Sequence, residues 1–226
     1  MTSTGSKPSQ EKPVVFVVDD DISVRESLES LIEFAGWQPE TFASAEQFLA
    51  RPRRTTPSCL VLDISLPDLS GLELQKLIAG DRADMPIIFI TGHGDIPKTV
   101  QAMKAGAVEF LTKPFDDEAL LNAIRYAITR STAALDAQAE LRMLRERFDS
   151  LTSREQEVMR LVVTGMLNKQ IALKLGISEI TVKAHRGKAM QKMQADSLAD
   201  LVRIAARLGL ASAKNPWHTT HTANST

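Results

Sequence analysis

From Pro13 onward, short unbroken apolar runs alternate with stretches whose apolar residues recur every three or four positions. Val14, Val15, Phe16, Val17 and Val18 follow one another without a polar break, as in a strand covered on both faces. Residues 22–35 carry Val24, Leu28, Leu31, Ile32 and Ala35 at helical spacing, and Gly36 stops that helix. The pattern then repeats: an edge strand over 40–42, a helix from Ser44, a strand over 60–62 and a helix over 71–78. A strand over 87–90, a helix over 96–105, a strand over 108–111 and a helix starting at Asp116 complete it. Five strands alternating with five helices predict an α/β doubly wound, five-stranded parallel sheet that binds ligands at the strand C-termini.

The pattern changes after residue 130. No Gly or Pro occurs between Phe115 and Gly165, and residues 133–150 are rich in strong helix formers. Leu141, Leu144, Phe148 and Leu151 keep a 3-4-3 spacing that fades towards Arg130. A helical spacer and a dimerising coiled coil both fit, as do one long helix and a break near Ser131 and Thr132. Residues 151–210 read as a small all-α block punctuated by Gly165, Gly176 and Gly209. The expected organisation is a disordered lead-in over 1–12, an α/β domain over 13–130, a helical linker over 131–150, the α block over 151–210 and a disordered tail over 211–226. His218 and His221 in that tail lack Cys or acidic company, which argues against a metal site.

Composition adds a division of labour. Residues 1–130 hold 13 Lys and Arg against 19 Asp and Glu, a net of −6; residues 131–226 hold 14 against 9, a net of +5. An acidic half joined to a basic half suggests two tasks, with nucleic acid the usual partner of the second. No apolar run approaches the ~18 residues that span a bilayer, and the polar N-terminus shows no export signal. Cys59 is the single cysteine, so no internal disulfide forms, and its place in the apolar run Cys59-Leu60-Val61-Leu62 suits a small buried hydrophobe. A cytoplasmic protein without membrane contact is expected.

Candidate chemistry gathers where the strands end. Asp19, Asp20 and Asp21 follow the first strand, Asp63 the third, Thr91 the fourth and Lys113 the fifth. Clustered carboxylates repel unless a hard cation joins them, and Mg²⁺ prefers one or two carboxylates plus phosphate oxygens. A carboxylate nucleophile, a divalent metal, a hydroxyl and an ammonium together suit phosphoryl transfer. Asp21 also suits a helix N-cap. An aspartyl phosphatase of the haloacid-dehalogenase type would need a second Asp where Ser65 stands.

Four segments resemble the receiver domain in residue type, order and spacing: Val17-Val18-Asp19-Asp20-Asp21, Leu62-Asp63-Ile64-Ser65-Leu66-Pro67, Thr91-Gly92-His93-Gly94 and Phe110-Leu111-Thr112-Lys113-Pro114-Phe115. The resemblance implies a CheY-like fold and an Asp63 phosphorylated by a sensor histidine kinase. It implies that Asp19, Asp20, Asp63 and the carbonyl of Ser65 hold Mg²⁺, and that Thr91 binds the phosphoryl group. It further implies that Phe110 is a switch aromatic, that Lys113-Pro114 is cis, and that a phosphorylation-dependent homodimer forms near Val100, Gln101 and Lys104. No enzymatic turnover is expected beyond slow autodephosphorylation.

In the basic half, Thr152 or Ser153 caps a helix, residues 168–175 form a short helix, Gly176 turns the chain, and Ser178 caps a second helix over 180–193. Val182, Ala189, Met190 and Met193 suit its core face, and Lys183, Arg186, Lys188 and Lys192 its outer face. A helix-turn-helix places such a second helix in the major groove. The block resembles the LuxR-type domain of the NarL/FixJ family over residues 151–208, with Gly94-Asp95-Ile96-Pro97 and the long linker favouring the FixJ-like subgroup. Lys169, Thr181, Lys183, His185, Arg186 and Lys188 are the expected contacts to double-stranded promoter DNA. The resemblance assigns dimerisation of this domain to the helix over 197–208. It implies transcriptional regulation, in the activating sense, with RNA polymerase as a further partner. A receiver regulated by protein contact alone is the rival.

Overall fold

The computed structural model describes residues 12–67, 69–92 and 96–210. The expected lead-in before Lys12, the tail with Trp217, His218 and His221, and His93, Gly94 and Asp95 lie outside the described residues. The chain divides into two compact units, residues 1–137 and 138–226.

The first unit runs β1 (Val14–Val18), α1 (Ile22–Phe34), β2 (Gln38–Phe42), α2 (Ala45–Leu49), β3 (Ser58–Asp63), α3 (Gly71–Ile78), β4 (Ile87–Thr91), α4 (Ile96–Lys104) and β5 (Glu109–Thr112). It continues into α5 (Asp117–Asp149). The sheet is parallel with order β2-β1-β3-β4-β5. Successive side chains leave opposite faces of a strand. Val15, Val17, Val61, Ile88 and Ile90 therefore pack with Leu28 and Ile32 of α1 and Leu120 and Ile124 of α5. Val14, Phe16, Val18, Leu60, Leu62 and Phe89 pack with Phe48 and Leu74 on the other side. Both faces are dry, which is why these strands read as unbroken apolar runs.

β2 begins two residues before the expected strand because an edge strand needs neither continuous apolarity nor every amide. Its Pro39 stands opposite Val15 at the sheet's edge, where proline is tolerated. α5 shows no break at Ser131. That side chain is fully buried, and its Oγ accepts the amide hydrogen of Ser58 at 3.0 Å. The polar pair reflects docking against the start of β3, while Thr132 donates back to the Ile128 carbonyl within the helix.

The second unit contains α6 (Ser153–Val163), α7 (Asn168–Leu175), α8 (Glu179–Met193) and α9 (Leu198–Arg207). Thr152 and Glu155 form a reciprocal capping box at the start of α6. Gly176 caps α7 at φ +64°, a left-handed conformation that glycine adopts without a Cβ clash. The core joins Val158, Met159, Ile171, Val182, Ala189, Met193, Leu201 and Ala205. Leu144 and Phe148, from the segment read as linker, are buried in that same core. Among the described residues no helix is long and apolar enough to cross a membrane.

Candidate functional site

Because β1 and β3 are neighbours, their C-terminal ends bring the acidic residues together. Carboxylate oxygens of Asp19, Asp20 and Asp63 lie within 4.8 Å of one another. Asp19 and Asp63 are buried and Asp20 is exposed. Lys113, just past β5, reaches back across the sheet end, with its Nζ 2.6 Å from Asp19 Oδ2 and 2.7 Å from Asp63 Oδ2. The amide of Ser65 donates to Asp63 Oδ1 at 2.8 Å, so both oxygens of that carboxylate have a fixed partner. Thr91 is buried at the end of β4, and its carbonyl accepts the amide of Lys113. Phe110 is half-buried against the core beneath the site, and Lys113-Pro114 is cis. Asp21 has the role of a cap, accepting the amide hydrogen of Ser23 at the start of α1.

Three carboxylates face one ammonium, leaving a negative pocket. Burial raises the Asp19 pKa, helped by the charge of Asp63; the hydrogen bonds from Lys113 and the Asp21 amide pull it down by less. At Lys113 burial pulls downward, but the hydrogen bonds to Asp19 and Asp63 outweigh it, and its pKa ends above the usual lysine value. Lys113 thus stays cationic at neutral pH. The all-oxygen donor set is that of a hard divalent cation.

Two features of this site escaped the sequence reading. Arg25 of α1 holds the loop that carries Asp19 and Asp20. Gly71 opens α3 directly behind Asp63: a Cβ there would overlap the Asp63 carbonyl oxygen and stand 3.1 Å from both Ile64 Cα and the Phe89 ring. Backbone cannot yield as a side-chain tip does. Gly71→Ala should cost about 1–3 kcal/mol by overpacking. Thermal unfolding checks this; a variant with the wild-type midpoint would show that the helix start shifts freely.

In the second unit, α8 turns its buried side, Val182, Ala189 and Met193, to the core. Lys183 and Lys188 are exposed, with exposed Ala184 and Gly187 between them, and a Cβ at Gly187 would meet nothing within 4 Å. Lys169 on α7 is exposed. Three expected contacts are partly engaged in the fold. Thr181 pairs its hydroxyl with Ser178 at 2.8 Å, Arg186 reaches Asn168 Oδ1 at 3.4 Å, and His185 is half-buried, with Nδ1 buried and unpartnered. Lys192, assigned to the outer face from sequence, is half-buried. Its Nζ lies 2.7 Å from the buried Glu155 and 3.1 Å from the Ser150 carbonyl, so its charge is spent on holding α8 to the start of α6. That contact, with the Thr152 amide, lowers the Glu155 pKa. On α4, Val100, Gln101 and Lys104 are exposed, and Ile96 and Met103 extend Val100 into an exposed apolar stripe.

Comparison with known proteins agrees with this division. Residues 15–125 match the response regulator receiver domain, and residues 149–205 match the bacterial regulatory proteins of the luxR family. Nodulation protein W of Bradyrhizobium diazoefficiens is 50% identical over 208 residues, covering 92% of this chain and 92% of that protein. Transcriptional regulatory protein FixJ of the same organism is 40% identical over 196 residues, covering 87% of this chain and 96% of that one. Among solved structures, response regulator StyR superposes with a TM-score of 0.76 at 50% identity, covering 87% of this chain and 99% of that chain.

Proposed function

The chain belongs to the response regulators that join a receiver domain to a LuxR-type DNA-binding domain, and from that premise we propose that phosphorylation of Asp63 controls its binding to promoter DNA. The observation that carries this reading is the setting of Asp63, buried between Asp19, Asp20 and the Lys113 ammonium at the end of the central strand. Mg²⁺ fits the cluster: Asp19, Asp20 and Asp63 would hold it with the carbonyl of Ser65, and when bound it would neutralise charge on the transferring group.

The Asp63 carboxylate attacks the phosphorus of a histidine-borne phosphoryl group, and the donor imidazole leaves. Lys113 stabilises the charge on the transferred oxygens, and the Thr91 hydroxyl holds one of them. A groove of about 360 Å³ opens beside Lys113, lined by Val24, Leu28, Leu31, Pro114 and Phe115. Hydrolysis of the acyl phosphate is slow, so the chain is an acceptor and not a turnover enzyme. Inward movement of Thr91 draws Phe110 after it and reshapes α4. Ile96, Val100 and Met103, flanked by Gln101 and Lys104, then cover one another across a homodimer. The paired DNA-binding units recruit RNA polymerase in the cytoplasm and activate transcription.

Full-length protein with Mg²⁺ and a small phosphodonor should double its mass in light scattering and bind operator DNA more tightly. Unchanged mass and affinity would favour regulation by protein contact alone. Lys183 borders the small face made by Ala184 and Gly187, which lets α8 seat close to base edges. Lys183→Ala should therefore lose about 1–3 kcal/mol of binding and relax preference at one position. Lys188→Ala should weaken all sequences alike and reduce the salt slope by about one, as for a phosphate contact. Unaltered affinity in both variants would place the reading helix elsewhere.

A further inference from the structure

The loop between β1 and α1 carries both Asp19 and Asp20, and its backbone belongs to neither the sheet ladder nor the helix. Its amides find partners nearby: Asp19 donates to the Phe42 carbonyl, and Asp21 donates to Asp19 Oδ1 at 2.9 Å. The Asp21 carbonyl accepts the amide of Arg25 within the first turn of α1. The carbonyls of Asp19 and Asp20 are served by one atom. Arg25 Nη1 lies 2.7 Å from the first and 2.9 Å from the second, donating to both. The half-buried Arg25 forms no ion pair with a carboxylate among the described residues. Its charge is directed at the backbone of two residues whose side chains approach Asp63.

We propose that Arg25 is a positioning residue for the metal pocket: its guanidinium clamps two successive carbonyls and so sets the rotation at which Asp19 and Asp20 present their carboxylates beside Asp63. Charged donors form shorter and stronger bonds than neutral ones, and a clamp on consecutive carbonyls restrains the peptide between them. Groups that orient ligands characteristically change metal affinity by about 10–100-fold when lost. The inference rests on the reading of Asp19, Asp20 and Asp63 as metal ligands.

Two effects of losing Arg25 oppose each other, and their sign makes the test decisive. Removing a cation near three carboxylates strengthens attraction for Mg²⁺; releasing the loop weakens its capture. Calorimetric titration of the full chain with Mg²⁺ alone should show Arg25→Met binding about 10-fold more weakly. Arg25→Lys keeps the charge and some donor capacity, and should fall between that variant and wild type. It also supplies the answer if the methionine variant does not fold. Amide exchange in the metal-free protein should quicken over residues 20–24 in Arg25→Met while the cores around Leu62 and Ile88 stay protected. Equal or tighter Mg²⁺ binding by the variants would overturn the clamp. Unchanged exchange at the loop would do so by itself, including the case where wild type binds no Mg²⁺ and the metal reading fails.

Discussion

Asp63→Asn should reduce phosphoryl labelling of the chain to background while leaving the fold intact. The carboxamide keeps a hydrogen-bonding oxygen for the Ser65 amide but loses the anionic nucleophile. It also removes one of three like charges packed within 4.8 Å of each other. The substitution also weakens the Lys113–Asp63 contact, but three carboxylates face that single ammonium and like charges destabilise one another, so in Mg²⁺-free buffer the unfolding midpoint should hold or rise. That separates lost chemistry from lost structure. Labelling with a small phosphodonor, read on a phosphoprotein gel beside a thermal melt, measures both. Undiminished labelling would remove Asp63 from the mechanism. The same variant should lose the response of DNA binding to phosphodonor, whereas regulation by protein contact alone would leave that response as in wild type.

The features legible in the sequence were those that repeat or that must be chemically specific. β1, β3 and β4 were visible because burial on both faces demands unbroken apolar runs. The polar residues that end those runs were visible because a parallel sheet sends every strand's C-terminus to one side. Close approaches and changes of partner were not. Gly71 looks like an ordinary helix start until the Asp63 carbonyl is seen behind it. Arg25 looks like one charge on a solvated helix, although a cation five residues beyond an acidic pair is the signal to look for. Ser131 reads as a helix weakness because its partner, the Ser58 amide, is 73 positions away in the chain. Lys192 reads as part of a basic face because its partner Glu155 lies on another helix.

The fading stripe of Leu141, Leu144, Phe148 and Leu151 has the same cause, and it sets where a DNA-binding fragment must begin. The spacing of Leu144 and Phe148 suggested a spacer or a coiled coil. The structure buries both against Val158, Met159 and Leu201 in the core of the second unit, and stacks Arg160 over the Phe148 ring at 5.2 Å. The Phe148 carbonyl also accepts from Gln156 Nε2 at 3.2 Å, and Arg207 pairs with Glu140. A fragment starting at Leu151 keeps the capping box and the Glu155–Lys192 pair but discards all of these contacts. Truncating a buried Leu costs about 2–5 kcal/mol and a buried Phe about 3–5. A domain of roughly 70 residues holds only about 4–10 kcal/mol in total. The fragment from Leu151 should therefore be largely unfolded at 25 °C and bind no operator, whereas a fragment from Gln138 should melt cooperatively and bind. Circular dichroism melts and gel retardation at matched concentrations compare them. Leu144→Ala with Phe148→Ala in the longer fragment should reproduce the loss without shortening the chain. A cooperative melt of the Leu151 fragment at the temperature of the longer one would show that the end of α5 is not part of that core.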